Sequence, residues 1–129
     1  KVGSFIRISL PDYNSPLLMK RSIYNYNGDV ICDTLVGSCV IQEGEVIGKK
    51  GTDGNDHMWF PVLETVYDII RKSKFNDSTI KLHHGFIDRY NYICDDFDNS
   101  TYHVTRSPPT DMRNDGQPVS IIIDLIKEW

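Results

Sequence analysis

The histidines are the side chains of this sequence that could do acid–base chemistry near neutral pH. His83 and His84 are adjacent, Asp88 follows four residues after His84, and His103 lies further along the chain. An imidazole held beside a carboxylate is a common general base in hydrolases. We therefore take His83, His84, Asp88 and His103 as candidate catalytic residues of a His/Asp-based or metal-dependent hydrolase.

The spacing of these residues counts against an enzyme. In a strand predicted over 79–87, successive side chains point to opposite faces, so His83 and His84 would not meet at one metal or substrate. His103 and Thr105 match only half of the paired H-x-T/S pattern of two-histidine phosphoesterases. Cys94 could act as a nucleophile beside a histidine, but no local signature supports it. The sequence favours a protein without catalytic activity, and it predicts neither a metal nor a cofactor.

Tyrosines recur in two short segments. Tyr24 and Tyr26 would share one strand face, and Tyr90 and Tyr92 would share another. Tyrosine is enriched at protein interfaces because its ring supplies apolar area and its hydroxyl a polar tip. The alternative is aromatic pairing between strands of one sheet. Our leading hypothesis is a non-catalytic protein-interaction or structural assembly module that binds a protein partner or a second copy of itself.

A basic and aromatic group of residues supports a second hypothesis. Lys49, Lys50, Lys72 and Lys74, together with Trp59, could form a surface for single-stranded nucleic acid on an OB-like domain. The net charge of −4 opposes this, since nucleic-acid-binding domains usually carry a basic face. Nucleic acid is therefore an alternative partner that the sequence does not favour.

The cysteine pattern bears on the compartment. Cys32, Cys39 and Cys94 are odd in number and form no C-x-x-C pair, so we expect three free thiols in a reducing, intracellular compartment. A Cys32–Cys94 or Cys39–Cys94 disulfide is the alternative. Glycosylation sequons at Asn76 and Asn99 are consistent with the alternative of a secreted protein. The apolar runs are all shorter than a membrane span requires.

The composition favours strands. The 129 residues contain no alanine, the best helix former, and they are rich in isoleucine, tyrosine and aspartate. Such a composition is also typical of AT-rich coding sequences, which occur in some viruses, protists and low-GC bacteria, so a viral origin is one hypothesis. The apolar patterns predict strands at 5–10, 22–26, 29–32, 35–41, 45–49, 79–87, 90–94 and 101–106. Residues 119–127 could form a strand or a helix, and their β-branched run favours a strand. Asn27-Gly28 predicts a type I′ turn.

One helix is predicted over 61–74. Pro61 suits its first position, and a single apolar stripe follows at helical spacing, formed by Val62, Leu63, Val66, Ile69 and Ile70. The sequence therefore predicts an α+β fold. It would be one β-rich domain over 1–129, an antiparallel sheet or partly open barrel with this helix packed on it. The first residue is Lys1 and not methionine, so a fragment of a larger protein is also consistent with the sequence.

Overall fold

The computed structural model describes residues 4–36, 39–43, 45–49 and 59–128, with the backbone alone for 39–42 and 45–49. Within these ranges the chain forms strands β1 (Phe5–Pro11), β2 (Ser22–Tyr24), β3 (Val30–Asp33), β4 (Cys39–Gln42), β5 (Glu45–Lys49), β6 (Thr79–Phe86), β7 (Tyr92–Cys94) and β8 (Ser120–Ile126), and helices α1 (Pro16–Met19) and α2 (Leu63–Lys72). The predicted α+β, β-rich fold is confirmed. The short helix α1 was not predicted.

Four strands form the central antiparallel sheet, in the order β1-β8-β6-β7. β8 lies between β1 and β6, so Ile123 faces Ile8 on one side and Leu82 on the other. Six of the seven β8 residues are buried. A near-continuous apolar run is what a strand covered on both faces requires, and the prediction of a strand here is confirmed.

Helix α2 covers one face of this sheet. Its buried residues Leu63, Val66 and Ile70 pack against the β8 side chains that point the same way, which are Ile121, Ile123 and Leu125. Ile69, at the margin of the predicted stripe, is exposed. The helix begins at Leu63 and not at Pro61, because Val62 is still extended and donates its N–H to the hydroxyl of Thr65.

An irregular segment covers the opposite face. We call residues 95–118 the covering segment. The strand predicted at 101–106 is wrong: this stretch has no strand partner among the described residues. Asn99 instead accepts the N–H of Val104 at 2.6 Å and donates to its carbonyl at 3.0 Å. These two bonds satisfy backbone groups that a neighbouring strand would otherwise pair.

Two hairpins, β2–β3 and β4–β5, form separate two-stranded sheets. The type I′ turn predicted at Asn27-Gly28 is wrong, since only Gly28 has a positive φ, of 85°. The side chain of Asn25 accepts the N–H groups of Asn27 and Asp29 and so builds a longer loop. β4 begins at Cys39, later than the predicted residue 35.

Candidate functional site

One cavity is a groove between the β2–β3 hairpin and the start of α2. Its volume is about 640 Å³. The side chains that give it its chemistry are Tyr24, Asp29, Trp59, Phe60, Glu64 and Arg89. We call this cavity the aromatic groove. It combines broad aromatic faces with two carboxylates and one guanidinium.

The side chains of the aromatic groove come from separate elements of the fold. Tyr24 belongs to β2, Asp29 to the hairpin loop, and Glu64 to the first turn of α2. The ring of Phe60 packs edge-on against Tyr13 at 5.2 Å between centroids, and Tyr13 is itself buried. One wall of the groove is thus anchored in the core, while Trp59 keeps 46% of its surface exposed.

The two tyrosine segments approach each other here. Arg89, in the turn between β6 and β7, places its guanidinium 5.7 Å from the centre of the Tyr24 ring. Tyr26 and Tyr90 are 98% and 87% exposed. Tyr92, by contrast, packs against Phe86, with 5.2 Å between the ring centroids. This contact matches the alternative of aromatic pairing between strands. The structure therefore brings together the two hairpins that carry the predicted tyrosines.

A second polar group lies beneath the covering segment. The carboxylate of Asp124 accepts two bonds from Arg7, at 2.8 and 2.7 Å, and lies 2.7 Å from Nε2 of His83. We call Arg7, His83 and Asp124 the ion cluster. Arg7 also donates to the carbonyl groups of Asp98 and Tyr102. The ring of Phe97 lies over both Arg7 and His83.

The electrostatics of the ion cluster indicate a structural role. Burial alone would raise the pKa of Asp124, but hydrogen bonds from Arg7 and His83 outweigh this and lower it. Both oxygens of the carboxylate are thus engaged, and the three side chains of the cluster are each about nine-tenths buried. Asp124 carried one signal in the sequence: a charge within an apolar strand needs a buried partner.

The expected orientation of His83 and His84 is wrong. A β-bulge follows Leu82, because Leu82 faces Ile123 and His84 faces Ile122, which leaves His83 as the extra residue. Both imidazoles therefore point to the covering segment, and each lies 5.2 Å from the Phe97 ring. Strict alternation fails wherever a bulge adds a residue.

His84 and Cys94 are close but do not form a nucleophile and base. Nε2 of His84 lies 3.0 Å from the carbonyl oxygen of Asp95, so this nitrogen carries the proton and cannot accept one from the thiol. The Cys94 thiol points to the carbonyl of Gly116, and burial raises its pKa. Burial also lowers the pKa of His84, whose buried Nδ1 has no hydrogen-bond partner among the described residues.

The other proposed catalytic residues lie elsewhere. Asp88 accepts the N–H groups of Tyr90 and Asn91, each at 2.8 Å, and so stabilises the β6–β7 turn. His103 is exposed in the covering segment, with Nδ1 3.1 Å from the carbonyl of Asn99. The four predicted residues do not converge. In the part of the chain that the structure describes, no three His, Cys, Asp or Glu side chains are placed to hold a metal.

The predicted basic and aromatic surface is divided. Trp59 lies before α2 in the aromatic groove, whereas Lys72 and Lys74 lie at the far end of that helix, about 15 Å away for ten residues. Lys72 is paired with Asp68 at 2.6 Å. The side chain of Lys49 and all of Lys50 lie outside the described residues.

The prediction of three free thiols is wrong. Cys32, fully buried in β3, is disulfide-bonded, and Cys94 is free. Both alternative pairings that used Cys94 are wrong for the same reason. The side chain of Cys39 lies outside the described residues. The expected reducing compartment rested on free thiols and loses that support, since disulfides persist in oxidising environments.

None of the helices in the described ranges has the length and apolar character needed to cross a membrane. The comparisons with known proteins add no relative: no family model, no curated protein and no solved structure matches this chain. The function must therefore be argued from the geometry of the molecule.

Proposed function

We propose that the chain is a non-catalytic protein-binding module and that the aromatic groove binds a partner segment carrying a lysine or arginine side chain. One observation carries this proposal: the fold gathers Tyr24, Trp59, Asp29 and Glu64 from separate segments around a single cavity of about 640 Å³. Single aromatic residues scattered over a surface are normal, whereas aromatic residues grouped around one cavity are typical of a binding site.

The chemistry of the groove favours a cationic side chain. The face of an aromatic ring attracts a cation, and Trp and Tyr do so most strongly. The chain already places the Arg89 guanidinium over Tyr24. Asp29 and Glu64 add negative charge to the same cavity, so a positive group entering it would meet both ring faces and carboxylates.

The surroundings of the groove suit a protein surface. Tyr26 and Tyr90 project from the two hairpins that meet at Tyr24 and Arg89, and both are almost fully exposed. Interfaces typically surround a central pocket with residues of this kind. A nucleic acid fits less well, because its phosphates would approach Asp29 and Glu64.

Tryptophan fluorescence can test the proposal. Trp129→Phe would leave Trp59 as the single tryptophan and a reporter of the groove. We would select binders from a displayed library of twelve-residue peptides and titrate them against this variant. We expect enriched peptides to contain lysine or arginine and to change Trp59 fluorescence.

Matched charge variants decide whether the selected peptides bind in the aromatic groove. Asp29→Asn with Glu64→Gln is expected to weaken these peptides about tenfold, in the range of cation–π and ion-pair contributions. Asp77→Asn with Glu128→Gln removes the same charge from exposed positions outside the groove and should leave affinity unchanged. Equal affinity for both double variants, or a library without binders that affect Trp59, would contradict the proposal.

A further inference from the structure

The outer edge of β1 is the most regular unpaired strand edge of the central sheet. β1 pairs with β8 on one side, and among the described residues nothing pairs with its other side. It runs for seven residues without a bulge. Edge strands of natural proteins are usually short, bulged or charged, since an open edge invites another strand. The opposite edge strand, β7, has only three residues.

The hydrogen-bond parity shows which groups face outward. Lys127 donates its N–H to the carbonyl of Ser4, and Asp12 donates to the carbonyl of Val119. Because an antiparallel strand turns alternate residues toward its partner, even-numbered β1 residues bond to β8. The N–H and C=O groups of Phe5, Arg7 and Ser9 therefore point to the open edge.

This edge lies at the bottom of a trough. On the α2 side, Phe75 and Lys74 border a cavity of about 280 Å³ that reaches Phe5 and Ile6. On the other side, Tyr102 and His103 of the covering segment border a cavity of about 530 Å³ along the same strand.

The trough floor is apolar and accessible. Phe5 and Ile6 keep 40% and 43% of their surfaces exposed. We call this region, formed by β1 and its two flanking cavities, the β1 trough.

We propose that the β1 trough binds an extended segment of a partner protein, which adds to the sheet as a strand beside β1. Backbone bonds to Phe5, Arg7 and Ser9 would supply register, and alternate side chains of the segment would enter the two cavities. Lys74 and Phe75 line the smaller cavity, so the segment would carry apolar residues and an acidic residue at that end. This surface is separate from the aromatic groove.

A second copy of the chain fits this edge less well than a partner segment does. Antiparallel pairing of two β1 strands over Phe5–Pro11 would centre on Ile8 and place Pro11 of each copy opposite Phe5 of the other. Proline has no N–H, so the outward C=O of each Phe5 would lack its hydrogen-bond donor. A partner segment can instead supply an N–H at that position.

A proline at Ser9 tests the proposal. Ser9→Pro removes one outward N–H and leaves the inward bonds to β8 in place, and prolines are tolerated on edge strands at such positions. Ser9→Thr keeps the N–H and is the matched control. The probe is a displayed library of twelve-residue peptides selected on the wild-type chain with Ser9→Pro as the counter-selection. Selected peptides should bind Ser9→Thr normally and Ser9→Pro at least about tenfold more weakly.

Hydrogen exchange locates the bound peptide. The amides of Phe5, Arg7 and Ser9 should exchange quickly in the free chain and become protected with peptide, whereas Ile8 should be protected in both states. Ile6→Lys, at an exposed position, should also abolish binding and serves if Ser9→Pro does not fold.

Peptides that bind without protecting Phe5, Arg7 and Ser9 would overturn the proposal, as would a library that yields no binder sensitive to Ser9→Pro or Ile6→Lys. A concentration-dependent dimer that Ser9→Pro dissolves would assign the edge to a second copy instead. Charge variants of the aromatic groove should leave this binding unchanged.

Discussion

The two faces of the central sheet are buried by different means. On the α2 face, apolar side chains such as Ile70 and Ile123 pack directly against each other. On the opposite face, Arg7, His83 and Asp124 lie under the covering segment. Truncating an apolar side chain lowers the stability of the protein roughly in proportion to the atoms removed. Removing one partner of a buried ion pair is different, because the other charge is left buried with no opposite charge beside it. An irregular segment can thus cover a sheet if polar contacts hold it.

Removing the carboxylate from the ion cluster should give the largest effect. Asp124→Ala would leave Arg7 and His83 buried without their partner, and we expect the free energy of unfolding to fall by about 3–5 kcal/mol. Urea denaturation measures this change. Asp68→Ala, which breaks the exposed pair with Lys72, is the control and should lower the free energy of unfolding far less. Losses of equal size would show that the cluster does not hold this face.

Two buried carboxylates extend the comparison. Asp12, after β1, accepts N–H groups from Asn14 and Phe86, and burial raises its pKa to about 6. Asp124 has the cationic partner Arg7 and a lowered pKa. The two groups therefore affect stability in opposite directions. Asp12 stabilises the fold in its protonated form, whereas Asp124 does so in its charged form.

The pH dependence of unfolding should reveal Asp12. Its contribution to stability is complete below the ordinary pKa of 3.8 and is lost as the pH rises through about 6. The loss amounts to about 3 kcal/mol. We would compare urea denaturation of wild type and Asp12→Asn from pH 4 to pH 7. The difference between the two curves isolates Asp12 from the opposite contribution of Asp124, and parallel curves would contradict the prediction.

The smallest effect should come from the α2 face. Ile70→Val removes one buried methylene and should lower the free energy of unfolding by about 1 kcal/mol. Ile70→Val and Asp124→Ala lie on opposite faces of the sheet, so urea denaturation of the double variant should show additive losses within about 0.5 kcal/mol. A larger deviation would mean that the two faces are not independent.

Some elements were predictable because their signals are local. The apolar stripe from Leu63 to Ile70 repeats at the helical period, and it marks the buried face of α2 without reference to the rest of the chain. The run from Ile121 to Leu125 likewise marks a buried strand. The strand predicted at 101–106 failed because its pattern is short and the side chain of Asn99 bonds the backbone of Val104.

The candidate site was only partly predictable. Tyr24, Tyr26, Tyr90 and Trp59 stood out by residue type, but their sequence spacing could not show which of them share a cavity. Asp29, Glu64 and Arg89 were missed because an exposed charge in a loop or a first helical turn has an ordinary structural explanation.

The sequence by itself determined the α+β class and helix α2 and favoured a strand at β8, because these follow from periodicity and residue propensity over a few neighbouring residues. Only the tertiary structure decided that His83 and His84 share a face and that Asp124 pairs with Arg7. It also decided that no strand of the described ranges pairs with the outer edge of β1. The physical reason is the same in each case. A bulge, an ion pair and the pairing of a strand edge depend on residues far apart in the chain, and no local sequence pattern specifies which of these residues meet.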